Sequence, residues 1–245
     1  NFRDAFNNPF FMPALKNTII INVGKLAVGF PSAVLLALML NELRLTWFKR
    51  TVQTATMLPY FISWIVVASI FRNILAPTGV VNEVFMKVFG ANPIFFLSDP
   101  RIFPKLIVFQ DTWKYVGYFA VIYLAAMTAI DPTLYEAAMV DGANRLQQIR
   151  HITLPGIAPT MVTMLVILVG YLIQGGLEQV FAMYNVSVYS TGDILDTFTY
   201  RLGLQQFKYG LATAVGLFQA VISLVLVIFT NFLVRRYNAE NRGLF

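Results

Sequence analysis

Five stretches of this chain stay mostly apolar for about twenty residues or more, the length a helix needs to cross a bilayer. They run approximately Thr18–Leu40, Thr54–Ala76, Pro104–Ile130, Ile157–Leu177 and Leu211–Val234. Backbone groups in lipid must find partners within their own segment, so the pattern predicts helices and not open strands. The expected fold is all-α, a polytopic membrane helical bundle forming a single domain over 1–245. The third run opens with Gln110, Asp111, Trp113 and Lys114, a polar start that suits a cavity or a surface better than lipid.

The polar segments divide by character. Pro77–Phe103 carries Pro77, Gly79, Gly90, Pro93 and Pro100 around the short apolar stretch Val80–Phe89. It predicts an outward-facing hairpin or interfacial helix. Glu178–Gly210 mixes aromatics with Asn185, Ser187, Ser190, Asp193 and Asp196, and predicts a folded external or re-entrant element. Between the third and fourth runs, Asp131–Gly156 reads as helix, turn, helix. Asp131 is an N-cap with Pro132 at the first helical position, Gly142 allows a tight turn, and Pro155 acts as a helix stop near the end of the segment.

Composition makes the bilayer the main solvent. Hydrophobic residues are 58% of the chain and charged residues 12%, about half the charged share of a soluble domain; mean hydropathy is +0.66. The net charge of +6 does not point to nucleic acid, because most basic residues flank the apolar runs as membrane-edge anchors. The absence of cysteine excludes disulfides and thiolate metal sites, and the single histidine, His151, excludes a histidine cluster. The opening at Asn1, without a starter methionine or signal-peptide pattern, suggests a missing N-terminal portion.

No nucleophile–base arrangement stands out, and no G-x-x-x-x-G-K-[ST] phosphate loop is present. The chain is not expected to be an enzyme. Polar and aromatic residues inside apolar runs are the remaining chemistry, because lipid penalises them unless they face a cavity. Gln110, Trp113 and Tyr118 belong to the third run, Tyr171, Gln174, Glu178 and Gln179 to the end of the fourth, and Gln219 to the fifth. Aromatic faces against C–H patches, with amides and carboxylates for hydroxyls, are what a sugar requires. Gln174 and Glu178, four apart, are expected to share a helix face. Interfacial aromatics and helix–helix hydrogen bonds are the plainer account of each residue.

The segment Glu136-Ala137-Ala138 followed by Gly142, Ile152, Leu154 and Pro155 fills the pattern EAA-x3-G-x9-I-x-L-P. It resembles the cytoplasmic coupling loop of permease subunits in binding-protein-dependent ABC importers. Asn17-Thr18, Asn41-Glu42-Leu43-Arg44, Gly203-Leu204, Tyr209-Gly210, Ala212-Thr213-Ala214 and Arg235-Arg236 extend the likeness along the chain to oligosaccharide permeases. Trp113 and Tyr118 match a W-x4-Y pair ahead of that loop in maltose-type permeases. Where those permeases present asparagines to sugar, this chain has Gln174-Gly175-Gly176-Leu177-Glu178-Gln179.

The resemblance implies a type I importer permease with six spans, one lying before Asn1, in the bacterial cytoplasmic membrane. Glu136, Ala137, Ala138, Gly142, Leu154 and Pro155 would couple it to an ATPase. The implied partners are a second homologous permease, two ATPase subunits holding ATP and Mg, an extracytoplasmic solute-binding protein, an oligosaccharide and membrane lipid. The chain itself would bind no cofactor. Importers of amino acids or phosphate, an ATP-independent transporter and a membrane-embedded enzyme are the rival readings.

A cytoplasmic coupling loop places Asn41–Gln53 and the tail Arg235–Phe245 on the same side. Those segments hold Arg44, Lys49, Arg50, Arg145, Arg150, Arg235, Arg236 and Arg242, a weak positive-inside signal. The cysteine-free background makes the topology testable. Single cysteines replacing Asn144 and Ser190 are expected to react with an impermeant thiol reagent from opposite sides of the membrane. Reaction of both from one side would refute the five-span map.

Overall fold

A computed structural model describes residues 1–90 and 92–237; Arg242 and the rest of the tail after 237 lie outside the described residues. The described chain is helical: α1 Phe2–Phe6, α2 Phe11–Glu42, α3 Thr46–Met57, α4 Trp64–Ile74, α5 Val80–Phe89 and α6 Phe103–Thr128 come first. Then come α7 Pro132–Val140, α8 Arg145–Gln148, α9 Leu154–Gly170, α10 Leu177–Met183, α11 Tyr189–Gly192, α12 Leu195–Tyr200 and α13 Tyr209–Tyr237. A π-turn, Ile149–Thr153, joins α8 to α9, and another, Arg201–Gln205, succeeds α12.

Among the described residues, α2, α13 and the continuous stretch Arg145–Gly170 are each long and apolar enough to cross a membrane. Five spans result if α3 with α4, and α6 with α7, are each counted as one broken span. The expected second and fourth runs are therefore not simple helices. The second breaks after α3 at the 3-10 turn Leu58–Phe61, where Pro59 withholds an N–H. The fourth ends at Gly170 instead of continuing to Leu177, and the chain unwinds through Gly175 and Gly176 at φ +95° and +137°. Gln174 and Glu178 consequently share no helix face, because Gln174 lies in the unwound segment and Glu178 in the first turn of α10.

The chain divides into two compact units. The first comprises Asn1–Leu26, Ile62–Asp111 and Gly170–Leu226. One of its cores gathers Ile21, Phe103, Ile107, Val180, Met183 and Ile194, and another gathers Phe11, Ala14, Leu195, Phe198, Leu202 and Val215. Buried polar groups knit its short helices together. Asn82 is sealed from solvent; its amide nitrogen donates to the carbonyls of Ala76 and Ile94, and its oxygen accepts from the Ile94 N–H at 2.7 Å. These bonds fold the Pro77–Phe103 segment back around α5, the helix expected at Val80–Phe89. The Arg201 guanidinium forks onto Asp193 at 3.1 and 2.5 Å, which holds its pKa above the ordinary arginine value. Asn17 of α2 donates to the carbonyls of Ser190 and Asp193. The Glu178–Gly210 segment is thus a folded element.

The second unit comprises Ala27–Phe61, Thr112–Val169 and Val227–Phe245. Ala33, Ala37, Leu40, Tyr123, Met127 and Ile157 form its core. Its helix break is pinned by α6. Lys114, 4% exposed, donates through Nζ to the carbonyls of Pro59 at 3.1 Å and Tyr60 at 2.9 Å. One helical turn on, Gly117 lies directly against the Thr56 backbone, where a Cβ would overlap the carbonyl. The Tyr118 ring then stacks on Tyr60 with centroids 4.2 Å apart and planes inclined by 7°.

Candidate functional site

The coupling segment belongs wholly to the second unit. Asp131 caps α7, accepting the Thr133 N–H at 2.9 Å; that bond holds its carboxyl below the usual range. Pro132 takes the first helical position, as the sequence predicts. The helix buries none of its residues. Glu136 and Ala137 are exposed, as are the apolar Leu134, Met139 and Val140, the last at 88%. Exposed apolar residues on a helix too short to be stable alone need a surface to dock on.

Gly142 makes the turn, at φ +78°. A Cβ there would meet nothing within 4 Å, so glycine is required for backbone conformation and not for close packing within the chain. Asn144 and Gln147 then form a reciprocal capping box that starts α8, at 3.0 and 2.7 Å. The faces of α7 and α8 enclose a groove of about 310 Å³ lined by Ala138, Gly142, Ala143, Gln147, His151 and their neighbours. His151 bonds through Nδ1 to the Gln147 carbonyl at 3.0 Å.

Two side-chain bonds brace the turn and tie α7 to the π-turn that leads into α9. The Tyr135 hydroxyl and Thr153 hydroxyl lie 2.9 Å apart, and Gln148 donates to the Ala143 carbonyl at 3.0 Å. Leu154 packs against the core of the unit, while Pro155 is exposed. Pro155 does not stop the helix. It sits in the first turn of α9, just after the π-turn closed by the Leu154 N–H to the Ile149 carbonyl, where a missing N–H is tolerated.

The eight residues expected along a substrate path fall into different roles. In the first unit, Gln110 and Gln179 are buried and cross-brace α6 and α10: the Gln179 amide donates to the Ile107 carbonyl at 2.8 Å, and that of Gln110 to the Met183 sulfur at 3.7 Å. Gln219 is buried and donates to the Ile173 carbonyl at 2.9 Å and to Asp196 Oδ1 at 2.7 Å. It therefore latches the unwound segment Tyr171–Gly176. Asp196 Oδ2 accepts the Gly175 N–H at 2.9 Å, and Asn22 donates to the Leu172 carbonyl at 2.9 Å. Tyr171 and Glu178 are exposed, and Gln174 is half-buried. In the second unit, Trp113 and Tyr118 are half-buried.

Sequence reasoning missed Tyr60, which supplies the second ring of the stack, and Lys25, whose Nζ lies 3.2 Å from Asp111 Oδ1. A lone lysine within the first apolar run was the available signal for Lys25. Tyr60 left none, because its pairing with Tyr118 depends on the helix break.

A polytopic helical chain with a capped, exposed helix-turn-helix between spans is the architecture of a transport permease. The chain belongs to the family described as binding-protein-dependent transport system inner membrane component, which matches residues 29–239. It is 40% identical to the polygalacturonan/rhamnogalacturonan transport system permease protein YteP of Bacillus subtilis (strain 168), over 98% of this chain and 75% of that protein. A solved bacterial ABC transporter involved in import of the acidic polysaccharide alginate has a chain 41% identical to it, with a TM-score of 0.94 over 97% of this chain and 83% of that one. The alginate transporter in complex with alginate pentasaccharide-bound periplasmic protein is 42% identical, with a TM-score of 0.93 over 96% and 82%.

Proposed function

We propose that this chain is the membrane-spanning subunit of an ATP-driven importer of oligosaccharides handed over by an extracytoplasmic solute-binding protein. The observation that carries the coupling half of this reading is the 132–155 element, a capped helix with its apolar residues exposed and its direction set by Gly142. The cargo class is supported by the relatives, whose named cargoes are polysaccharides.

In this reading ATP and Mg are held by two separate ATPase subunits, and a second homologous permease completes the pathway. Closure of the ATPase pair presses on α7 through Glu136, Ala137 and the exposed apolar residues. The Tyr135–Thr153 bond and the π-turn pass that displacement to α9. Leu154, packed against the core, keeps the load from dissipating in the loop. Glu178, Gln174 and Tyr171 offer hydroxyl partners and an aromatic face along the first unit, and Trp113 and Tyr118 offer aromatic faces in the second. The buried glutamines hold helices in place.

A thermal-shift measurement on the assembled complex separates this reading from an importer of amino acids or phosphate. A ligand that binds the folded state raises its melting temperature, with about 2.7 kcal/mol gained at a hundred-fold excess over Kd. Oligosaccharides are expected to stabilise the complex and amino acids and phosphate to leave it unmoved. The reverse pattern would overturn the cargo assignment.

A further inference from the structure

Lys25 lies well inside α2, among isoleucine, valine and leucine neighbours. A charge at such a depth is costly and marks a path for polar cargo more often than a site of packing. Its counter-ion is Asp111 of α6, with side-chain exposures of 12% and 22% for the two partners. Neither is sealed, in contrast to Gln110 one residue earlier, which is fully buried.

The ammonium abuts the unwound segment. A Cβ on Gly176 would come within 3.4 Å of Lys25 Nζ, and at φ +137° only glycine sits there without strain. On the adjoining Gly175, a Cβ would meet nothing within 4 Å. The lysine head, on a side chain 12% exposed, therefore abuts a stretch of backbone fixed by Asn22, Gln219 and Asp196. Two carboxylates of this unit are committed elsewhere, Asp196 to Gly175 and Gln219, and Asp193 to Arg201, while Glu178, two residues after Gly176, is exposed.

We propose that Lys25 reads a carboxylate on the cargo, so that the oligosaccharide carried is an acidic, uronate-bearing one, with Asp111 as the resident counter-ion that the cargo carboxylate replaces. This rests on the oligosaccharide reading above. The physics suits a transport path. Cargo that takes the ammonium leaves Asp111 without its cation, so the exchange balances only because Asp111, the more exposed partner at 22%, turns to water as the cargo carboxylate arrives. Acidic cargo is recognised without being trapped. A neutral sugar brings no charge to exchange and gains nothing at this point, which is how a difference in affinity becomes selectivity. Glu178, at the start of α10, takes hydroxyls in this scheme.

The test is uptake by the complete complex in proteoliposomes, with one binding protein throughout. The probes are a galacturonate trisaccharide and its carboxyl-reduced, neutral counterpart, supplied below saturation. The readout is the ratio of acidic to neutral uptake. The wild type is expected to favour the acidic probe. Lys25→Met, and the double variant Lys25→Met with Asp111→Asn, should lower the ratio by about ten-fold or more. The double variant leaves no unpaired Asp111, so its assembly is protected. Lys25→Arg should keep the preference. The exchange Lys25→Asp with Asp111→Lys preserves an ion pair but moves the cation, and should lose the preference; recovery of the wild-type ratio would mark the pair as a structural strut and overturn the proposal. An unchanged ratio in the double variant, or a wild type that favours the neutral probe, would overturn it too while leaving an oligosaccharide importer intact. Uptake of neither probe by the wild type would take down the oligosaccharide reading with it.

Discussion

Replacing Gly142 by valine is expected to abolish the stimulation of ATP hydrolysis by loaded binding protein, while the permease still reaches the membrane. The residue sits at φ +78°, and a side chain there would touch no other part of the chain. The penalty is therefore one of backbone conformation alone. An L-residue in the left-handed region costs about 1–2 kcal/mol, and a β-branched one sits at the unfavourable end. That is too little to unfold a polytopic helical protein. It is enough to redirect an exposed turn held by two backbone bonds, Gly142 N–H to the Met139 carbonyl at 3.1 Å and Ala143 N–H to the Ala138 carbonyl at 2.8 Å. In the proposed coupling, once α7 leaves its direction, Glu136 and the exposed apolar residues would no longer meet the ATPase squarely. Gly142→Asn provides the control, because asparagine tolerates left-handed backbone and should retain most of the stimulation. Glu136→Ala, at an exposed position, should lower stimulation without any loss of folding. Wild-type stimulation in the valine variant would remove the turn from the coupling path.

The second large effect belongs to Gly117, and it is one of assembly. A Cβ on this residue would overlap the Thr56 carbonyl and lie 2.7 Å from the Met57 nitrogen. The opposing atoms are backbone, and the backbone just beyond them is fastened by Lys114 to the carbonyls of Pro59 and Tyr60. Neither side can yield without breaking that fastening or the Tyr60–Tyr118 stack. Overpacking of this kind costs about 1–3 kcal/mol and occasionally more. Gly117→Ala is expected to lower the melting temperature of the purified protein clearly, and Gly117→Val to leave little of it in the membrane. A valine variant present at wild-type level with an unshifted melting temperature would mean that α6 and the helix break do not meet as described.

These two glycines also show what the sequence could and could not reveal. Gly142 was legible, because Asp131, Pro132 and Gly142 carry their signals locally, within one short segment; the capping pair Asn144–Gln147 was local too but went unread. The same holds for α5, bounded by Gly79 and Gly90. The apolar runs placed the long helices, since bilayer thickness sets their length whatever they pack against. Gly117 was silent, because its role depends on Thr56, which the fold brings to it.

The end of the fourth run failed for the same reason. Tyr171, Leu172 and Ile173 are apolar enough to continue a helix, yet their backbone is claimed by Asn22, from 150 residues away, and by Gln219, from 46 residues away. No local pattern encodes that competition. It also explains why Gln110, Gln179 and Gln219 read as cavity residues from sequence: a buried amide that braces two helices and an amide that faces a polar path look alike until their partners are known.

The most direct test of ATP-coupled import is uptake of labelled oligosaccharide into proteoliposomes holding this chain with the second permease and the ATPase pair proposed for it. Loaded binding protein is supplied on the outside and ATP on the ATPase side. The coupled mechanism predicts accumulation that needs ATP, the binding protein and this chain together, and that stops when Gly142 is valine. Accumulation that continues without ATP or without the binding protein would contradict it.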